Sequence, residues 1–75
     1  MKSIKMRLSS IEDVRNFVNT VSKYDIEADL KSGRYTVDAK SLMGIFSLDL
    51  MQPIELIIHS DSADALLEEV KAFMV

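Results

Sequence analysis

The sequence predicts an α+β fold, a four-stranded and largely antiparallel sheet with helices covering one face. Three observations carry this expectation. Four short stretches alternate apolar and polar residues, at Ile4/Met6/Leu8, Ile26/Ala28/Leu30, Tyr35/Val37/Ala39 and Ile54/Leu56/Ile58, which is the period of a half-buried strand. Two longer stretches carry apolar residues at helical spacing, and a third, short one follows a serine. The resulting order is strand, helix, strand, strand, short helix, strand, helix. It lets every apolar stripe meet another, and helices on one side leave the other side of the sheet wet, which accounts for the polar partner in each alternation.

The first strand falls within residues 2 to 8. The period then changes: Ile11, Val14, Phe17, Val18 and Val21 recur at helical spacing. Ser9 with Glu12, or Ser10 with Asp13, offers a capping-box start, with acids placed favourably in the first turn. The second and third alternating runs flank "LKSGRY", a turn in which Gly33 is the flexible residue, so they read as a hairpin. In "KSLMGIFSLDL" Ser41 is an N-cap candidate for about two helical turns. Gly44 inside that run costs a helix roughly 1 kcal/mol relative to alanine and points to close packing or a short, imperfect helix. Pro53 marks the exit. Ala63, Leu66, Leu67, Val70, Phe73 and Met74 form the last helical stripe, with Ser60, Asp61 or Ser62 as its cap.

Length and composition narrow the function. The 75 residues suffice for one domain, 1–75, and 48% hydrophobic residues suffice for a compact core. With no cysteine, disulfides and thiolate metal sites are excluded, and a reducing compartment fits. No stretch approaches the ~20 apolar residues of a membrane span, and Lys2, Lys5 and Arg7 are followed by no apolar signal segment. A soluble, cytoplasmic protein is expected. The net charge is −3 and the basic residues form no stripe, which disfavours nucleic acid as a direct partner. Glu55, Asp61, Asp64, Glu68 and Glu69 read as a solvated acidic face.

The catalytic inventory is poor, and no enzyme, metal site or cofactor is expected. His59 is the one histidine, and it has no second ligand to share a metal with. The two glycines, Gly33 and Gly44, make no phosphate loop. Glu12/Asp13 and Glu68/Glu69 are sequence neighbours and do not share a helix face. Ser41 remains. A serine that opens a helix is first of all a cap, but the free N–H groups there tolerate added negative charge, so Ser41 can also accept a phosphoryl group. Beside it, Leu42, Met43, Ile45, Phe46 and Leu48 are too many apolar residues for one face of two turns, so some are left to form a docking surface.

The segment Lys40-Ser41-Leu42-Met43-Gly44-Ile45-Phe46-Ser47-Leu48-Asp49 resembles the regulatory segment of the HPr family, the phosphocarriers of the bacterial sugar phosphotransferase system. That segment reads Lys-Ser-Ile-Met-Gly-Val-Met-Ser-Leu-Gly, so six of ten positions are identical and three are apolar exchanges. "SKYDIEADL", upstream, is similar to the family's Ser-Lys-Phe-Asp stretch. The resemblance implies an open-faced β-sandwich of order β-α-β-β-α-β-α, four antiparallel strands under three helices. Counted back without gaps, the family's His-Ala-Arg-Pro phosphocarrier motif places its histidine slot on Ser10, its arginine slot on Glu12 and its proline slot on Asp13. Acids beside a phosphohistidine repel it, so Ser10 and Glu12 form a degenerate slot and Ser10 reads as a cap.

In these respects the chain is similar to the catabolite-repression branch of the family. For this chain the resemblance implies phosphorylation of Ser41 by a dedicated kinase, docking through Leu42, Met43 and Phe46, and a transcription regulator as partner. The other expectations are a constitutive interaction domain, or a homo-oligomer, that uses the same apolar patch and ignores Ser41.

Overall fold

The computed structural model describes residues 2–74. Its elements are β1 (Lys2–Met6), α1 (Ile11–Ser22), β2 (Ala28–Ser32), β3 (Tyr35–Asp38), α2 (Leu42–Phe46), β4 (Ile54–Ile58) and α3 (Asp64–Val70), with a 3₁₀ turn over Lys71–Phe73. The strands form one antiparallel sheet in the order β1-β4-β2-β3. Three helices cover one face, as expected.

Strand alternation decides which face is covered. Met6, Ala28, Leu30, Ile54, Leu56 and Ile58 point into the core and are buried. The intervening residues line the uncovered face in register: Lys5, Glu55 and Lys31 form one row, and Ser3, Ile57, Asp29 and Asp38 the next. From the helices, Val14, Phe17, Val21, Ile45, Leu66 and Val70 close the core. Phe17 meets Phe73 edge to face, with ring centroids 5.8 Å apart, an arrangement that favours the aromatic quadrupoles. Among the described residues no buried side-chain polar atom lacks a hydrogen bond, so the core carries no orphaned polar group.

The β2–β3 hairpin closes over Gly33 and Arg34, with Ser32 paired to Tyr35. Gly33 has φ +59° and no other described residue has a positive φ. A two-residue hairpin loop needs that conformation to match the strand twist, and glycine adopts it without Cβ strain.

Several elements depart from expectation. Ile11, the first residue of α1, is not part of the α1 core stripe: it is 66% exposed. Tyr35 is exposed at the hairpin end of an edge strand. The α2 helix is five residues, shorter than the expected two turns. The cap of α3 is Ala63, with no side-chain bond; Ser60 instead turns its hydroxyl to the Ser62 amide at 3.1 Å, a local bond that competes with capping. The last helix ends at Val70, and Met74 leaves it to bridge Met6.

The acidic residues do not form one face either. Glu55 accepts from Ser3 on the sheet, Glu68 pairs with Lys71 at 3.2 Å, and Glu69 is taken by Lys23 and Tyr24 from the end of α1.

Candidate functional site

Two serine-capped helix starts and the apolar side chains beside them make up the candidate site. The second start is built from the end of β3. The Asp38 carboxylate accepts from the Lys40 amide at 2.9 Å, and the Asp38 carbonyl accepts from the Ser41 amide at 3.0 Å. This aspartate turn delivers Ser41 to the cap position in an extended conformation, φ −98° and ψ 102°. Its Oγ accepts from the Gly44 amide at 3.2 Å, and its carbonyl accepts from Ile45 at 3.0 Å. The Lys40 ammonium is spent elsewhere, donating to the Tyr24 carbonyl at 2.8 Å, which ties this loop to the end of α1.

Gly44 explains how the short helix sits so close. A Cβ there would lie 3.0 Å from the Ser41 Oγ and 3.3 Å from the Val37 Cβ. The missing side chain lets α2 lie on β3 and leaves room for the capping hydroxyl. Ile45 and Leu48 anchor the segment in the core. Ser47 closes it, its hydroxyl donating to the Gly44 carbonyl at 2.6 Å.

The remaining apolar residues face outward to different degrees. Leu42 is half-buried and meets α1, where with Arg15, Val18 and Asn19 it lines a shallow depression of about 320 Å³. Met43 is 79% exposed and Phe46 39%. The structure thus places Leu42, Met43 and Phe46 on one short element behind a half-buried Ser41.

The first start is built differently. Ser10 is extended, φ −143° and ψ 164°, and its Oγ accepts from the Asp13 amide at 3.0 Å. The Asp13 carboxylate reaches back and accepts from the Ser9 amide at 3.2 Å and the Ser9 hydroxyl at 3.0 Å. Ser10/Asp13 is therefore the capping pair, but the Asp13 carboxylate reaches back to Ser9 and not to the Ser10 amide that a reciprocal capping box would use. Glu12 is exposed beside it. Here the helix N-terminus already has its anions, and both are protein carboxylates.

His59 belongs to neither start. It follows β4, donates its amide to the Glu27 carbonyl at 2.9 Å and sets Nε2 2.8 Å from Asp29 Oδ2. That places it with Asp29 on the uncovered sheet face and not at the start of α3. Among the described residues no group of three or more His, Cys, Asp or Glu side chains could hold a metal ion. None of the helices described is long and apolar enough to cross a membrane.

Two features were missed by sequence reasoning. One is the exposed apolar Ile11, whose neighbours along α1 at positions 15, 18 and 19 lead to Leu42; by spacing alone Ile11 falls on the core stripe of the helix. The other is the cluster of Lys23, Tyr24 and Glu69. Lys23 donates to Glu69 at 2.6 Å and the Tyr24 hydroxyl donates to the same carboxylate. Those bonds hold the Glu69 carboxyl below its ordinary range and raise both Lys23 and Tyr24. No local signal links residues 46 positions apart.

Comparison with known proteins agrees with this architecture. Residues 13–75 match the model of the family described as PTS HPr component phosphorylation site, so the match begins inside α1 and leaves Ser10 and Glu12 outside it. The chain is similar to HPr-C-His from Thermoanaerobacter tengcongensis, at 26% identity and a TM-score of 0.75, over 93% of this chain and 90% of that one. It shares the fold of a phosphocarrier protein HPr from Bacillus anthracis str. Ames, at 22% identity and a TM-score of 0.75, over 99% and 96% of the two chains. With the matched segment spanning most of its length, the chain belongs to the HPr-like phosphocarrier family of the phosphotransferase system.

Proposed function

We propose that this chain is a regulatory protein-binding module of the phosphotransferase system, phosphorylated on Ser41, and not a histidine relay. Proteins of this family work by interacting with other proteins of that system, and the partners proposed here are a kinase acting on Ser41 and a transcription regulator. The observation that carries the reading is the contrast at Ser41: its Oγ accepts one amide hydrogen bond, and the exposed Met43 and Phe46 lie within the next five residues. In the transfer, Oγ bonds to the γ-phosphorus of ATP, the bond from that phosphorus to ADP breaks, and the hydroxyl proton leaves to the kinase's base. No acid stands in the first turn of α2 to repel the product.

The relay is disfavoured by the slot that an ungapped count back from Ser22-Lys23-Tyr24-Asp25 assigns to the acceptor. Ser10 occupies it, and the Glu12 and Asp13 carboxylates flank it. A phosphoryl group there meets two like charges. His59 is engaged with Asp29 on the sheet and supplies no substitute. A single domain, a cytoplasmic location and the absence of intrinsic enzyme activity belong to the same reading.

A second reading is supported by the half-burial of Ser41 and its existing capping bond. In it the chain binds a partner, or a second copy of itself, through Leu42, Met43 and Phe46 without phosphorylation. Intact mass after incubation with an HPr kinase and ATP separates the two. One phosphoryl group on the wild type and none on Ser41→Ala is the expected result. An unchanged mass on folded protein overturns the phosphorylation reading and leaves the constitutive one.

A further inference from the structure

We propose that Met43 is a redox modification site: oxidation of its thioether by a hydroperoxide closes the docking surface while leaving the fold intact. This rests on the reading of Ser41 and its apolar neighbours as the segment a kinase engages. The chain has no cysteine, so thioethers are its most oxidisable side chains. They are placed very unequally. Met6 is fully buried in the core, Met74 is 37% exposed where it bridges Met6, Met43 is 79% exposed in the patch, and Met51 is 84% exposed in the loop that follows α2. A peroxide in solution therefore reaches Met43 and Met51 directly and reaches Met6 only through unfolding.

The chemistry is a two-electron oxygen transfer. The terminal peroxide oxygen bonds to the Met43 sulfur, the O–O bond breaks, the sulfur is oxidised to the sulfoxide, and the remaining oxygen leaves as water or alcohol. Because Met43 contributes nothing to the buried cluster, the added oxygen disturbs no core packing. Its effect is confined to the surface, where a soft apolar group two residues after Ser41 becomes polar and chiral. A partner that docks on Leu42, Met43 and Phe46 then has to cover an oxygen with no donor to meet it.

The test treats the full chain with hydrogen peroxide, quenches it, maps the oxidised peptides by mass and records far-UV circular dichroism. An HPr kinase and ATP are then added. Phosphorylation is followed by intact mass in the wild type, Met43→Leu and Met51→Leu, each compared with its own untreated sample. Met43 and Met51 are expected to gain one oxygen each before Met6 does, with the spectrum unchanged. Peroxide is expected to slow phosphorylation about tenfold, the loss of one unpaired polar group at an interface, in the wild type and in Met51→Leu. It is expected to leave the rate of Met43→Leu at its own untreated level, whatever that level is.

Equal rates before and after oxidation of the wild type overturn the proposal, as does the same peroxide sensitivity in Met43→Leu. Met43 that stays unoxidised while Met51 converts overturns it whatever the kinase does. A failure of the functional reading shows separately, as untreated wild type that gains no phosphoryl group, and it takes the docking consequence down with it.

Discussion

Ser10 and Ser41 do the same job in two helices and stand in opposite surroundings. Each is extended, each accepts a hydrogen bond from the amide three residues on, at 3.0 Å and 3.2 Å, and each carries its helix's first carbonyl bond. Beyond that they diverge. The start of α1 is closed by its own carboxylate, Asp13 on Ser9, with Glu12 beside it and one exposed isoleucine, Ile11. The first turn of α2 has no acid, although the Asp38 carboxylate sits on the Lys40 amide just before it, and its exposed apolar residues are thioether and aromatic. The comparison teaches that a cap is a backbone requirement and chemistry is a matter of neighbours. One serine is flanked by carboxylates and the other by exposed apolar side chains.

The comparison breaks most decisively if both serines take phosphate, or neither. With an HPr kinase and ATP, Ser10→Ala is expected to be phosphorylated like the wild type, and Ser41→Ala not at all, as read by intact mass. With enzyme I and phosphoenolpyruvate, no stable phosphoryl transfer to the wild type is expected. Transfer to Ser10 or His59 would invert the assignment.

The next effect concerns the two apolar surroundings. Phe46→Asp is expected to slow phosphorylation by the kinase roughly 30-fold, the loss of a hot-spot residue worth about 2 kcal/mol. Ile11→Asp, at the other start, is expected to change it far less. Stability runs the opposite way within each region. Ile45, the fully buried residue of α2, is expected to cost about 2–5 kcal/mol when cut to alanine. Exposed Ile11 is expected to stay within about 0.5 kcal/mol. Urea denaturation of the two variants gives both numbers.

A smaller effect sharpens the shared part of the comparison. Ser10→Ala and Ser41→Ala are each expected to lose about 1 kcal/mol of stability, the usual worth of a serine cap. A loss at Ser41 well below that would mean that the short α2 is held by Ile45 and Leu48 and not by its cap.

The smallest effect lies at the far end of α1 and serves as a control away from both serines. Glu69 is lowered from an ordinary 4.5 by hydrogen bonds from Lys23 and then Tyr24, while Lys23 and Tyr24 are raised from 10.5 and 10.0 by their bonds to Glu69. The lowered acid stabilises the fold above its ordinary value, and that contribution is lost as pH falls through the lowered value. The two raised groups stabilise the fold below their ordinary values, and theirs is lost as pH rises through the raised ones. Glu69→Gln is expected to flatten stability against pH at both edges, modestly because the cluster is solvent-accessible, with no change in Ser41 phosphorylation at neutral pH. Thermal melts across pH check the first part and intact mass the second.

The sequence by itself determined the element types, their order, most of the core and the two serine caps. These follow from local rules: period two or 3.6, a positive φ at Gly33, a serine before a helix. It also carried the segment from Lys40 to Asp49, because capping, close approach at Gly44 and anchoring at Ile45 are all encoded within a few residues. Only the tertiary structure decided the rest. The strand order β1-β4-β2-β3 depends on which stripes pack together between strands far apart in the sequence. So does the exposure of Ile11, which matches its helical stripe in spacing but is left uncovered at the first position of the helix. Periodicity identifies a face, and only the neighbouring element determines how much of that face is covered. For the same reason Ser60, a sound cap on paper, bonds instead within its own turn, and Glu69 leaves an apparent acidic face for Lys23 and Tyr24. The choice among exposed apolar residues, Met43 and Phe46 outward with Ile45 and Leu48 inward, is set by the contact of α2 with β3, because a five-residue helix has too few turns to fix its own orientation.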